Sequence, residues 1–170
     1  SGSHSGYSCK PSHSDYVLLQ TVSRGFAAAR SDGSLVSWGR KSYGHNGNVA
    51  NSAGASVIQI VSNSQGALAA LRSDGTVFGW GSMSPPSGLS GVTKLFNNHN
   101  AIAALKSDGT VVAWGNTDYG DSTAVPSGLS GVTDIIANYK NFAAVKSDGS
   151  IISWGEYDRT VTDVTQLVAT

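Results

Sequence analysis

A fourteen-residue pattern occurs four times in this chain, and any fold has to place its four copies in equivalent surroundings. The copies read FAAARSDGSLVSWG (26–39), LAALRSDGTVFGWG (68–81), IAALKSDGTVVAWG (102–115) and FAAVKSDGSIISWG (142–155). Their tryptophans, Trp38, Trp80, Trp114 and Trp154, are spaced by 42, 34 and 40 residues, so the units share a core and differ in their loops. Each copy is predicted to be a β-hairpin. Gly33, Gly75, Gly109 and Gly149 each follow an Asp between two apolar runs. Asp-Gly in that setting signals a two-residue type I′ turn, which needs φ > 0 at both positions. The run after the turn, TVVAW (110–114), has the β-branched and aromatic content of a strand. The run before it, AAL (103–105), is small enough for a neighbouring backbone or indole to come close.

A third strand precedes each hairpin: VIQIV (57–61), VTKLF (92–96) and VTDII (132–136), with YVLLQTV (16–22) as a poorer first copy. The connections at 97–101 and 138–141 are rich in Asn, which accepts left-handed conformations. The unit is therefore strand, turn, strand, Asp-Gly turn, strand, loop, and no amphipathic helix is visible. Three antiparallel strands of about 5–6 residues fit such a unit. Packed radially, four such blades bury both faces of every sheet, as in a β-propeller or an arc of one. Each Trp is expected between adjacent blades, burying about 150–250 Å².

The composition supports a packed core. Of 170 residues 39% are apolar and 13% charged, and four Trp, six Tyr and four Phe are present, which argues against disorder. Eleven basic residues balance eleven acidic ones, so the basic excess that a nucleic-acid binder needs is missing. No apolar run approaches the roughly 18 residues of a membrane helix, so no membrane insertion is expected. Cys9 is the single cysteine, which excludes an internal disulfide, and it reads as an inert thiol. Residues 1–15 form a polar tail or an expression remnant, and 16–170 the repeat domain.

The core 103–115 followed by NTDYG (116–120) resembles the regulator of chromosome condensation repeat, as does VPSGLSGV (125–132) with its near copy PSGLSGV (86–92). The bacterial variant with short three-stranded blades, as in a secreted β-lactamase-inhibitory propeller, is the nearest in pattern. The resemblance covers residues 16–170. It implies an all-β fold of four three-stranded antiparallel blades. Such propellers include a guanine-nucleotide exchange factor on chromatin, secreted enzyme inhibitors and repeat tracts of bacterial surface proteins, most of which present loops to another protein. Asn98 and Asn138 stand where the family has Gly, and Ala67, Ala101 and Asn141 where it has a framework His. The family commonly closes with seven blades. Here residues 161–170 read as the first strand of a fifth unit whose hairpin is missing, an orphan edge that pairing or covering has to manage.

Catalytic chemistry finds no support. His4, His13, His45 and His99 lack metal spacing, and the recurrent Asp residues are explained by their turns. Asp118 and Asp121 fall short of a calcium loop, and neither a nucleophile elbow nor a phosphate-binding Gly-Lys loop occurs. No cofactor and no metal are expected. What varies between units is the loops, which carry Tyr43, His45, Gln65, His99, Tyr119, Tyr139, Tyr157 and Arg159. Tyr and Arg are over-represented among binding hot spots. For Tyr43 and Tyr119, which hold the family's Tyr-Gly position, packing under the loop is the competing role. The reading that follows is a non-catalytic protein-interaction module, extracellular or surface-associated, whose partner is another protein. Two alternatives are a building block that self-associates into a ring or filament through Val164–Thr170, and a lectin using Trp or Tyr faces.

Overall fold

The computed structural model describes residues 15–22, 24–40, 47–49, 55–117, 123–156 and 160–161. They form four antiparallel sheets, each one repeat. Blade 1 contains β1 (Tyr16–Val22), β2 (Gly25–Arg30), β3 (Leu35–Gly39) and β4 (Gly47–Val49). Blade 2 contains β5 (Val57–Ser62), β6 (Ala67–Arg72) and β7 (Val77–Gly81), and blade 3 β8 (Val92–Asn97), β9 (Ala101–Lys106) and β10 (Val111–Gly115). Blade 4 contains β11 (Val132–Ala137), β12 (Asn141–Lys146), β13 (Ile151–Gly155) and β14 (Thr160–Val161). The three-stranded meander expected from the repeat is present in every unit. Blades 1 and 4 add a short outer strand that the repeat pattern does not announce, with Leu35 opposite Val49 and Ile151 opposite Val161. Thr160 and Val161 thus belong to blade 4. The rest of the expected fifth-unit strand, Val164–Thr170 included, lies outside the described residues, as does the 1–14 segment with Cys9.

Successive residues of a strand point to opposite faces, and here both faces are buried, which is why the middle strands are unbroken apolar runs. Ala67, Ala69 and Leu71 face blade 3, where they meet Leu95, Ile102 and Trp114. Leu68 and Ala70 face the other way, onto Ala27, Ala29 and Leu35 of blade 1. Between blades 3 and 4, Ala103, Leu105 and Val111 meet Ile135, Phe142 and Trp154. A small, alanine-rich face of one blade therefore receives the bulky face of the next. The tryptophans are not equivalent in depth. Trp114 and Trp154 are 6% and 2% exposed. Trp80 is half-buried against the core of blades 1 and 2. No described blade packs ahead of Trp38; it is half-buried and stacks on Phe26 with ring centroids 5.6 Å apart.

The hairpin turns differ from expectation. Only the glycine is left-handed: Gly33, Gly75, Gly109 and Gly149 have φ of 81°, 78°, 77° and 84°, and none of the preceding Asp residues has positive φ. The Gly109 N–H donates to the Lys106 carbonyl at 2.9 Å and the Lys106 N–H to the Thr110 carbonyl at 2.9 Å. The loop is thus three residues, Ser-Asp-Gly, a turn followed by a glycine bulge rather than a two-residue type I′ turn. The Asp works through its side chain. Asp108 Oδ1 accepts from the Thr110 N–H at 3.0 Å and the Thr110 hydroxyl at 2.6 Å. Those donors hold its carboxyl at about 2, below the usual carboxylate range; Asp148, bonded alike by Ser150, is also at about 2, and Asp32 and Asp74 are lowered for the same reason.

Candidate functional site

The loops between the first and second strands of the blades line up on one rim. Their shape comes from an asparagine at the end of the inner strand. Asn98 Oδ1 accepts from the N–H groups of Asn100 (2.9 Å) and Ala101 (2.7 Å). Asn63 does the same for Gln65 and Ala67, and Asn138 for Lys140 and Asn141. None of these Asn residues is left-handed, contrary to expectation; they act as side-chain caps. In blade 1 the position is Val22, and there Arg24 takes φ 57°, the one positive value for a non-glycine among the described residues. On its other side each loop is pinned by the glycine after Trp. The Asn116 N–H donates to the Asn100 carbonyl (2.9 Å), and a Cβ on Gly115 would sit 2.4 Å from that oxygen. No other residue fits there.

Between the two pins the loops of blades 3 and 4 present His99 and Tyr139, and that of blade 2, one residue longer, presents Ser64 and Gln65; stacking of the blades brings Gln65, His99 and Tyr139 together. The Ser64 N–H donates to the His99 carbonyl at 3.1 Å, and the His99 N–H to the Tyr139 carbonyl at 2.9 Å, so backbone bonds step from blade 2 to blade 4 along the rim. The Asn63 side-chain amide reinforces the step by donating to the Asn100 carbonyl at 2.9 Å. Above this backbone the Gln65 amide nitrogen lies 3.2 Å from His99 Nε2, within hydrogen-bond distance. The His99 and Tyr139 rings are 4.4 Å apart between centroids, tilted by 31°. Tyr139 remains 65% exposed and His99 is half-buried. Lys140, beside Tyr139, pairs with Glu156 at 2.8 Å.

Of the residues singled out in the sequence, His99 and Tyr139 are thus neighbours, with Gln65 completing the row. Tyr43, His45, Tyr119, Tyr157 and Arg159 lie outside the described residues. At the opposite rim the Val132 N–H donates to the Gly109 carbonyl (3.0 Å), and the Val92 N–H to that of Gly75 (3.0 Å), tying the hairpin turns of blades 3 and 2 to the next blade. The capping role of Asn63, Asn98 and Asn138 was missed, although the recurrence of Asn at one repeat position was a visible signal.

Between the inner strands runs a groove of about 460 Å³ lined by Leu18, Gln20, Ile58, Ser62, Phe96 and Ala137, so every blade contributes. The Gln59 side chain spans it edgewise, bonding both the N–H and the carbonyl of Leu95 (2.9 and 2.8 Å), while Lys94 pairs with Asp134 at 3.0 Å at the equivalent position one blade on. Among the described residues no group of three or more His, Cys, Asp or Glu could hold a metal ion, and no helix is long and apolar enough to cross a membrane.

No family model and no curated protein matches the sequence. Solved structures do. Prp20 of Saccharomyces cerevisiae, solved by itself and, as yeast RCC1 (Prp20), with Kap60 bound, superposes on 82% of this chain at 18% identity and TM-score 0.63, using 44% and 43% of those chains. The CRINKLY WD40 ectodomain of the Arabidopsis thaliana receptor kinase ACR4 matches 88% of this chain and 56% of its own, at 17% identity and TM-score 0.65. The computationally designed Ika8 protein matches 83% of this chain and 46% of its own, at 18% identity and TM-score 0.53. The fold is that of the propellers the repeat resembles, and the chain spans about half the length of these solved chains.

Proposed function

We propose that this chain is a non-catalytic scaffold that captures another protein on the rim carrying Gln65, His99 and Tyr139. The observation that carries this is Tyr139. An aromatic ring 65% exposed is held in one orientation by the His99 ring beneath it and by a loop whose backbone is bonded on both sides. A large ring fixed before binding loses little freedom on contact, and the resulting affinity is what distinguishes a hot spot from an incidental surface aromatic. The variable chemistry on Asn-capped loops, amide in blade 2, imidazole in blade 3 and phenol in blade 4, suits a surface that discriminates among partners. Solved propellers of this fold are in keeping with that use: one structure holds yeast RCC1 (Prp20) with Kap60 bound, and Prp20p has binding properties to Gsp1p and histones. Burial of Trp114 and Trp154 leaves those rings closed to sugar stacking, which weighs against the lectin alternative.

The test is affinity capture with wild-type, Tyr139→Ala and His99→Ala proteins, followed by calorimetry on the partner recovered. Tyr139→Ala should weaken binding by about 30-fold or more while leaving the melting temperature unchanged. A partner that binds wild type and both variants equally would remove this rim from consideration.

A further inference from the structure

Every blade ends on an outer strand whose far edge needs a partner, and blades 1 and 4 supply one where blade 2 does not. In blade 1, β4 lies along β3 with Leu35 opposite Val49, Val36 opposite Asn48 and Ser37 opposite Gly47. In blade 4, β14 lies along β13 at the same repeat positions, with Ile151 opposite Val161 and Ile152 opposite Thr160. The counterparts in blade 2 are Val77, Phe78 and Gly79 of β7, which among the described residues pairs with β6 alone. The loop after β7 is described throughout, and it does not turn back along that edge. Pro85 sits instead on the face of Gly79, where a Cβ would overlap its Cδ. A cleft of about 470 Å³ results, with residues 76–79 as one wall and residues 84–90 as the other. Successive strand residues point to opposite faces, so four in a row on one wall place the cleft along the edge of β7. Ladder bonds alternate, and the Arg72 N–H bonds the Thr76 carbonyl at 3.0 Å. Val77 and Gly79 therefore turn their N–H and carbonyl groups away from β6, as Leu35 and Ser37 turn theirs towards β4.

We infer that blade 2 takes an extended segment of another protein as its fourth strand, antiparallel to β7. Main-chain bonds hold a segment added in this way, and the side chains along it give the selectivity. The chain's own two outer strands indicate the chemistry that fits. Opposite Val77 goes a β-branched apolar residue, as in Val49 and Val161, and opposite Phe78 a polar one, as in Asn48 and Thr160. Opposite Gly79 goes a glycine, on the pattern of Gly47. No residue lining the cleft is charged, so a charge on the segment would lose water without gaining a partner, and the segment that fits is uncharged. A second copy of this chain fits less well. A whole blade brought edge to edge would meet the loop that forms the other wall, whereas a single extended chain enters between the two. The inference goes beyond the rim reading and uses none of its residues.

The probe is an acetylated and amidated peptide of residues 46–51 (NGNVAN), which carries the β4 sequence. It is titrated into the whole 170-residue chain and followed by amide NMR. The Val77 and Gly79 signals should shift with peptide concentration, and those of Leu35 and Ser37, already paired with β4, should not. The same peptide with Val49→Pro lacks the N–H that meets Val77 and should bind about tenfold more weakly. Val77→Pro in the protein removes the donor on the other side of that pair. An outward N–H on an edge strand is one that proline can replace, and the loss of peptide binding should again be about tenfold. Circular dichroism checks the fold of this variant, and Ser87→Trp, on the opposite wall, replaces it if it is unfolded, with a similar loss expected. Val77 and Gly79 signals unmoved at about 5 mM peptide would overturn the inference. So would equal binding of the proline peptide, equal binding by the folded variant, shifts confined to blade 1, or a dimer of the protein alone that already protects the Val77 and Gly79 amides.

Discussion

Replacing Asn98 by alanine tests whether the rim is shaped by side-chain caps. Asn98 is 6% exposed, and the two residues whose N–H groups it receives, Asn100 and Ala101, are both 0% exposed. Truncation leaves two buried donors unmet, and each such group costs about 1–3 kcal/mol. Partial relaxation and entry of water reduce the total, so a loss of about 2–4 kcal/mol is expected. That is a large share of the roughly 5–15 kcal/mol by which domains are stable. Asn138 makes the same pair of bonds at an exposed site, to the N–H groups of Lys140 and Asn141. There water replaces the carbonyl oxygen, and Asn138→Ala should cost less than about 1 kcal/mol. Urea unfolding of the two variants, compared at unchanged m-value, reads the difference directly. Equal losses at the two sites would mean that the bonds themselves, rather than the burial of their donors, set the cost, and the reasoning would fail.

The tryptophans give a second contrast of the same kind: Trp114→Ala should cost about 3–5 kcal/mol and Trp38→Ala no more than about 2, measured by the same unfolding, because only Trp114 is enclosed by two blades. The turn carboxylates give a pH effect of defined sign. The folded-state values of Asp108 and Asp148, about 2, lie below the ordinary 3.8, so their contribution to stability is fully present above about pH 4 and is lost as pH falls towards 2. Thr110→Val removes the hydroxyl donor and should raise the Asp108 value towards 3.8 in a carboxyl NMR titration; an unmoved midpoint would exclude the Thr110 bond as the cause.

The sheet content, the unit boundaries and the burial of Trp114 and Trp154 were legible in the sequence because a strict repeat forces equivalent packing on every copy. The turn type was not. Asp-Gly between apolar runs fits both a two-residue and a three-residue hairpin loop, and the distinguishing signal was the Ser or Thr after the glycine, which bonds the Asp side chain. The outer strands of blades 1 and 4 were also hidden, since they arise from loops that are not repeated. The unequal depth of Trp38 and Trp154 cannot be read from near-identical sequences. It follows from position among the described blades, where Trp154 packs against blade 3 and Trp38 has no described blade ahead of it.

The meeting of Gln65, His99 and Tyr139 has the same origin. They are far apart in sequence, and their contact follows the repeat interval rather than any local pattern. Alignment of the repeats on Asn63, Asn98 and Asn138 as the fixed point is enough to place all three on one rim. In blades 3 and 4 the two pins of the loop, the Asn cap and the glycine after Trp, take no help from the side chain between them. That residue is therefore released from structural duty. A fold that fixes backbone geometry by positions outside the contact surface can change the chemistry of that surface, from the imidazole of blade 3 to the phenol of blade 4, without changing its shape.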